Sequence, residues 1–311
     1  MLIENGVWKG YDCSDLQNGI LEIPQQVQKI DLRSIHKYMY KYFGGGKRYG
    51  LQVDPQNPVY YSEGNCMIER KTGKIVFGTA KSTLPQNGSI RSIGVGAFAW
   101  CDFGDRNIDV PGSVETVEEY AFYGAWHIRE LRFLPGVCRI GDFALAAMQT
   151  ERVFFSETVE RIGFCDLPET VVQIIVDEKN PLFSVRSGCL IREQDKTVLA
   201  VTGQTVQIPD GIKAIAPFAC MKGLSPTRIV VIPDSVTQIE NDVMPNSLLG
   251  LMYGNIFRKS KKQKLRERKN FYADSSFCPT LSVAIIKAHE DSCAIEYARK
   301  HGIAHLYLED E

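Results

Sequence analysis

Hydrophobic positions recur along this chain in a fixed frame. In the stretch "SVETVEEYAFYGAWHIRELRFLPG", residues 113 to 136, Val114 is followed by Val117, Ala121 and Phe122. The same frame fits Ile90, Ile93, Ala97 and Phe98; Val137, Ile140, Ala144 and Leu145; and Ile212, Ile215, Ala219 and Cys220. It fits Val27, Ile30, Ser34, Ile35 and Val236, Ile239, Val243, Met244 more loosely, while Val159, Ile162, Asp166, Leu167 keeps the apolar outer positions and breaks the Ala. Starts at 90, 114, 137 and 159 lie 24, 23 and 22 residues apart, the sign of a repeat array.

Short runs such as "NIDV", "ELRFL" and "RIVVI" precede Pro111, Pro135 and Pro233 and read as strands, because β-branched and aromatic residues concentrate there. One unit is then a strand, a proline turn, an apolar pair and about one helical turn carrying Ala-Phe; Gly94, Gly141 and Gly163 argue against a long helix through it. Burying four or five apolar side chains yields about 6 to 15 kcal/mol. Ordering a unit of this length costs about 1 to 2 kcal/mol per residue. A lone unit therefore loses, and neighbours must share a core.

The two long gaps between units are themselves related. "VDPQNPVYYSEGNCMIERKTGKIVFGT" from Val53 matches "VDEKNPLFSVRSGCLIREQDKTVLAVT" from Val176, aligning Asp54 with Asp177, Asn57 with Asn180, Pro58 with Pro181, Tyr60 with Phe183 and Cys66 with Cys189. Alternating runs joined by a short polar link, as in "CLIRE", "QDK" and "TVLAVT", predict a β-hairpin in each.

These residues resemble the BspA-like leucine-rich repeats, whose unit is similar to "VPGSVETVEEYAFYGA" and "IPDSVTQIE" here, over roughly residues 20 to 255. The tail "AIIKAHEDSCAIEYARKHGIAHLYLED" resembles the strand, helix and strand that close such arrays. Independently, Asp291 or Ser292 can cap that helix and Gly302 can end it. The expected fold is an α/β repeat solenoid, a leucine-rich-repeat-like array with one parallel β-ladder, short helical turns opposite, two β-hairpin insertions and a C-terminal β-α-β cap. Its expected parts are an N-terminal cap at 1–22, the array at 23–257 with insertions at about 54–83 and 177–206, a basic linker at 258–274 and a cap at 275–311. The resemblance implies a non-catalytic role in binding or adhesion, mostly at cell surfaces.

Composition narrows this little. Of 311 residues 44% are hydrophobic and 23% charged, and 36 Lys plus Arg against 37 Asp plus Glu leave a net charge of −1, so no global field draws the chain to nucleic acid or an anionic membrane. No segment approaches the roughly 20 apolar residues of a membrane span. Nine cysteines with no close pair fit a reduced compartment and buried thiols. The amino terminus has no basic start followed by an apolar run. As the chain stands a cytoplasmic setting is favoured, and a trimmed signal would place it at the cell surface or outside.

Candidate chemistry is sparse. His36, His127, His289, His301 and His305 form no HExxH, and Gly302 separates His301 from His305; no G-x-S-x-G occurs, and Gly44 to Lys47 lacks P-loop spacing. Asp54 and Asp177 recur beside Asn-Pro as turn residues do. The expectation is no enzyme, no cofactor and no metal. Alternation along the strands points Asp109, Arg132, Phe154, Ile175 and Val231 outward, a face suited to another protein as partner. The alternative is polyanion binding, to nucleic acid or an acidic glycan, by Arg258, Lys259, Lys261, Lys262, Lys264, Arg266, Arg268 and Lys269, a run with one acid and no interleaved aromatic.

Overall fold

The structure, a computed structural model, describes residues 1–32, 34–35, 49–164, 171–217, 219–220, 228–242, 278–279 and 284–308. These residues form a β-solenoid of about 10 turns, nearly all strand with little helix. Strands Asp102–Val110, Trp126–Phe133, Thr150–Phe155 and Gln173–Val176 stack in parallel as a long ladder. Ile108, Leu131, Val153 and Ile174 share one register position, and Val110, Phe133, Phe155 and Val176 another. All of them turn inward, because a period of two puts alternate side chains on one face.

A second parallel ladder runs along the array and corrects the expectation of one. It consists of two-residue strands, Ser92–Ile93, Thr116–Val117, Arg139–Ile140 and Arg161–Ile162, each formed around the second member of the apolar pair. The first member, as in Val114 and Val137, is fully buried after its proline turn.

The expected helical turns are also corrected. From Glu118 to Ala125 the chain forms stacked turns in which alternate amides serve different partners. Ala121, Tyr123 and Ala125 donate within the turn, to Glu118, Tyr120 and Phe122 carbonyls. Tyr120, Phe122 and Gly124 donate to Asp142, Ala144 and Ala146 carbonyls of the next rung, and Gly96, Phe98 and Trp100 donate likewise to Glu119, Ala121 and Tyr123. Left-handed φ at Gly96, Trp100, Tyr120, Gly124 and Phe143 sustains this pattern. A helix would satisfy these amides inside one rung, whereas stacking spends them between rungs. Helix described in full comprises a 3-10 turn at Cys13–Asp15 and the C-terminal α-helix Cys293–His301.

Each insertion is more than one hairpin. The first is an antiparallel meander of Tyr60–Glu63, Cys66–Glu69 and Lys74–Gly78; the second repeats it with Phe183–Arg186, Cys189–Arg192 and Thr197–Val201. The third strand of each then joins the short ladder, pairing in parallel with Ser92–Ile93 or with Ala214–Ile215. Insertion therefore interrupts the long ladder. Strand Gly50–Val53 pairs back to Ile20–Ile23, and beyond the second meander a separate sheet holds Thr205–Gln207, Arg228–Val231, Ala284–Ala288 and His305–Tyr307.

The core runs along the array as one cluster from Cys66 to Ile303, with a second cluster around Trp8, Tyr11, Tyr49 and Phe77 at the amino-terminal end. Repeating aromatics stack from rung to rung: Phe98 on Phe122 at 5.3 Å, Phe133 on Phe155 at 5.5 Å and Tyr120 on Phe143 at 5.7 Å. No disulfide links cysteines among the described residues. Cys66, Cys101, Cys189 and Cys220 are buried, Cys13 is exposed, and burial pushes the Cys66 thiol up to about 12. Cys165 lies outside the described residues. At the carboxyl end Ser292 caps the helix by accepting from Ile295 N, and Gly302 ends it at φ 66°.

Candidate functional site

The outward face of the long ladder carries two rows. Asp109, Arg132, Phe154 and Ile175 occupy one register position on four successive strands, and Asn107, Glu130, Arg152 and Gln173 occupy the position two residues earlier. The second row was not singled out from sequence, although the alternation that placed the first implies it. Val231 also faces outward, but it stands in the separate sheet beyond the second meander, in register with Gln207 and Lys287. The meander between Val176 and Thr205 separates it from the other four, so the five candidates do not form one row.

Charges in these rows are paired loosely. Arg132 Nη1 stands 3.8 Å from Asp109 Oδ1, with both side chains 42% exposed, and Arg152 Nη2 stands 3.8 Å from Glu130 Oε2. Neither Asp109 Oδ1 nor Arg152 Nε makes a hydrogen bond. The Arg132 guanidinium lies 5.7 Å from the centre of the Phe154 ring, a cation-π contact that leads the row from charged to apolar. Ile175 ends the row half-buried.

At the amino-terminal edge of this face the His127 ring, through Nδ1, meets Asp102 Oδ1 at 2.7 Å and ties the first two strands together. Gln86 Nε2 donates to the Asp109 carbonyl at 3.2 Å, which covers part of the outer edge of strand Asp102–Val110.

The twin aspartates hold turns. Asp54 Oδ1 accepts from Gln56 N at 2.8 Å and Asp177 Oδ1 from Lys179 N at 2.9 Å, and each carbonyl accepts from the asparagine three residues on. Asp54 also lines a cavity of about 620 Å³ with Ser14, Asp15, Glu22 and Gln52. Asp177 has no place in that cavity, so its recurrence follows the turn and not a shared pocket. Among the described residues no three His, Cys, Asp or Glu side chains gather as a metal site would require, and no helix is long and apolar enough to cross a membrane. His301 packs on the Tyr297 ring at 4.5 Å, and burial pulls its pKa below the usual histidine value. The basic residues Arg258, Lys259, Lys261, Lys262, Lys264, Arg266, Arg268 and Lys269 lie outside the described residues.

Comparison with known proteins places the array. A model of the BspA type leucine rich repeat region matches residues 79–166 in 6 copies. No curated protein matches. Among solved structures, a leucine-rich repeat protein from Eubacterium ventriosum is 16% identical, with 71% of this chain and 63% of that one covered and a TM-score of 0.45. A leucine rich cell surface protein from Faecalibacterium prausnitzii is 15% identical over 71% of this chain and 56% of that one, at a TM-score of 0.39. The pneumococcal vaccine antigen PcpA is 13% identical over 58% and 55%, at 0.33. The chain thus spans less than two thirds of the length of these proteins. The stretch 79–166, with its stacked Val/Ile pairs and Ala-Phe turns, is similar to the BspA type leucine rich repeat region.

Proposed function

We propose that this chain is a non-catalytic binding module of the adhesion type, which holds another protein against the outward face of its long ladder. The observation that carries this reading is the in-register row of Asp109, Arg132, Phe154 and Ile175, all partly exposed. Exposed ion pairs of this kind contribute about 0 to 1 kcal/mol, so Asp109 and Arg132 can exchange each other for a partner's charges at little cost. Arg and aromatic residues side by side are the types that dominate binding energy at protein interfaces. Capture of partners from the native host, quantified for wild type and for the double variant Arg132→Glu, Phe154→Ala, tests the assignment. Loss of about tenfold or more in affinity is expected, since each anchor is worth about 1 to 2 kcal/mol or more. Retained binding would remove the face from consideration.

A second reading rests on the run 258–269, with eight basic residues and one acid. A polyanion held there would dissociate steeply as salt rises, with a slope set by the number of neutralised charges. Partner binding through the ladder row would show a shallow slope, and Lys261→Glu with Lys262→Glu would leave it intact.

A further inference from the structure

The two ends of the solenoid finish differently. At the amino-terminal end the outermost strand, Leu2–Glu4, shifts register between Leu2 and Ile3 and carries the exposed Glu4, which pairs with Lys9. A bulge and a charge are two of the ways in which an edge strand is kept from pairing with another chain. At the carboxyl end the outermost strand is His305–Tyr307, joined in regular parallel register to Ala284–Ala288. It has neither device, and it leaves Leu306 52% and Tyr307 47% exposed.

Backbone bonds show which groups of this strand are already used. Ile286 N donates to the Ala304 carbonyl and Leu308 N to the Ala288 carbonyl, both at 3.0 Å, so residues 304, 306 and 308 turn their backbone groups toward Ala284–Ala288. The amides and carbonyls of His305 and Tyr307 therefore point to the other side. Among the described residues no strand pairs there, and helix Cys293–His301 packs against Ala284–Ala288 and Gln238–Ile239. Exposure agrees. Ala288 is fully buried, whereas Tyr307, in register with it and on the same face, is nearly half exposed, as on a rung with no neighbour beyond it.

We propose that this edge pairs with the same edge of a second copy of the chain, antiparallel about a two-fold axis at Leu306. The edge is complementary to itself. His305 of one copy lies opposite Tyr307 of the other, and each such pair exchanges both of its backbone bonds. Between the pairs Leu306 meets its own counterpart, on the face that it shares with Lys287. Charge selects the antiparallel sense. Arg299 and Lys300 precede the strand in the sequence, and Glu309, Asp310 and Glu311 follow it. A parallel copy would bring like charges together, whereas an antiparallel one carries the acids of each chain toward the bases of the other. An edge pairing of this length lies at the small end of protein interfaces, so the dimer is a weak one. It rests on the carboxyl-terminal sheet and not on Arg132 or Phe154, so it stands or falls separately from the ladder-face reading.

The test uses the full chain. Its sedimenting mass should rise toward that of two chains over an about hundredfold range of concentration. At the top of that range amide exchange at His305 and Tyr307 should be slowed by about tenfold, the effect of one to two backbone hydrogen bonds. Leu308, whose amide is bonded within the fold, should not respond. Leu306→Lys and Leu306→Glu each set like charges against one another at the axis, and each should leave the chain monomeric with its circular dichroism unchanged. An equal mixture of the two should recover the dimer, because Lys then stands opposite Glu. A mass of one chain at every concentration would overturn the proposal. So would His305 and Tyr307 amides already protected in the dilute chain, since another part of the chain would then cover the edge. Dimers that persist in both single variants would place the contact elsewhere, and a folded mixture that stays monomeric would remove the two-fold register.

Discussion

Asn57 and Asn180 make the same four hydrogen bonds in the two copies of the insertion. Asn57 Nδ2 donates to the Pro24 and Val27 carbonyls at 3.1 and 2.9 Å, while its Oδ1 accepts from Val59 N and Tyr60 N. Asn180 Nδ2 donates to the Ser156 and Val159 carbonyls at 2.9 and 3.0 Å, and its Oδ1 accepts from Leu182 N and Phe183 N. Each side chain is buried and pins a meander to the corner of the rung before it. Replacing either residue with Ala orphans two carbonyls and two amides and should cost about 2 to 4 kcal/mol in chemical denaturation. Asn→Asp should cost more at neutral pH, because a carboxylate oxygen would then face two carbonyls. A loss below about 0.5 kcal/mol for the Ala variants would mean that the corner is held by other contacts.

Gly112 and Gly136 stack where successive proline turns meet. A Cβ on Gly112 would come 1.9 Å from the Pro135 carbonyl oxygen, and one on Gly136, at φ 113°, 2.1 Å from that of Gly112. Backbone on both sides cannot yield locally, so Gly136→Ala should cost roughly 2 kcal/mol or more. Gly211→Ala separates clash from conformation. Its φ of 80° is also left-handed but nothing lies within 4 Å of the added Cβ, and about 1 kcal/mol is expected. Equal losses at the two sites, read from thermal unfolding, would show that rung contact contributes nothing.

Much of this architecture was legible in the chain because burial follows side-chain type. Val114, Val117, Ala121 and Phe122 are all fully buried, as their frame required. The turn side was not legible. Ala and Phe next to Tyr suggest helix by local preference, but Trp100, Tyr120 and Phe143 adopt left-handed φ because their neighbours on the next rung take their amides. The short ladder escaped because two-residue strands carry no measurable period. For the candidate face, alternation identified which side of each strand Arg132, Phe154 and Val231 occupy but not which sheet, and Val231 fell in the sheet beyond the meander.

Acid should loosen the second meander. Glu193 accepts from Lys196 and from Ser184, and these bonds hold its carboxyl below the ordinary value of 4.5; Asp195, bound by Arg192, is lowered likewise. A depressed folded value means that the stabilisation is fully present above the unfolded value and is lost as pH falls through the folded one. Both side chains are partly exposed, so the effect is modest, about 1 kcal/mol or less for the pair. Protection factors of amides in Cys189–Arg192 and Thr197–Val201, which correct for the intrinsic pH dependence of exchange, should fall below pH 4.5 in the wild type and change little over that range in a Glu193→Gln, Asp195→Asn variant. Identical pH profiles would assign acid sensitivity elsewhere.

Phe154 and Phe155 are adjacent and should behave oppositely. Phe155 is fully buried and stacks on Phe133 at 5.5 Å, whereas Phe154 stands half-buried on the outer face against Arg132. Truncating a core phenylalanine costs about 3 to 5 kcal/mol, so Phe155→Ala should lower stability sharply in denaturant. Phe154→Ala should stay within about 1 kcal/mol, since it leaves no cavity in the core and removes one exposed cation-π contact. The contrast also decides the register of the whole ladder. A slip of one residue would exchange every inward side chain for an outward one, turning Arg132 into the core and Phe133 into solvent. If Phe154→Ala instead proved the more damaging change, both rows of the candidate face would have to be reassigned to the interior. If the order holds, weakened partner capture by Phe154→Ala reports a lost contact and not a lost fold.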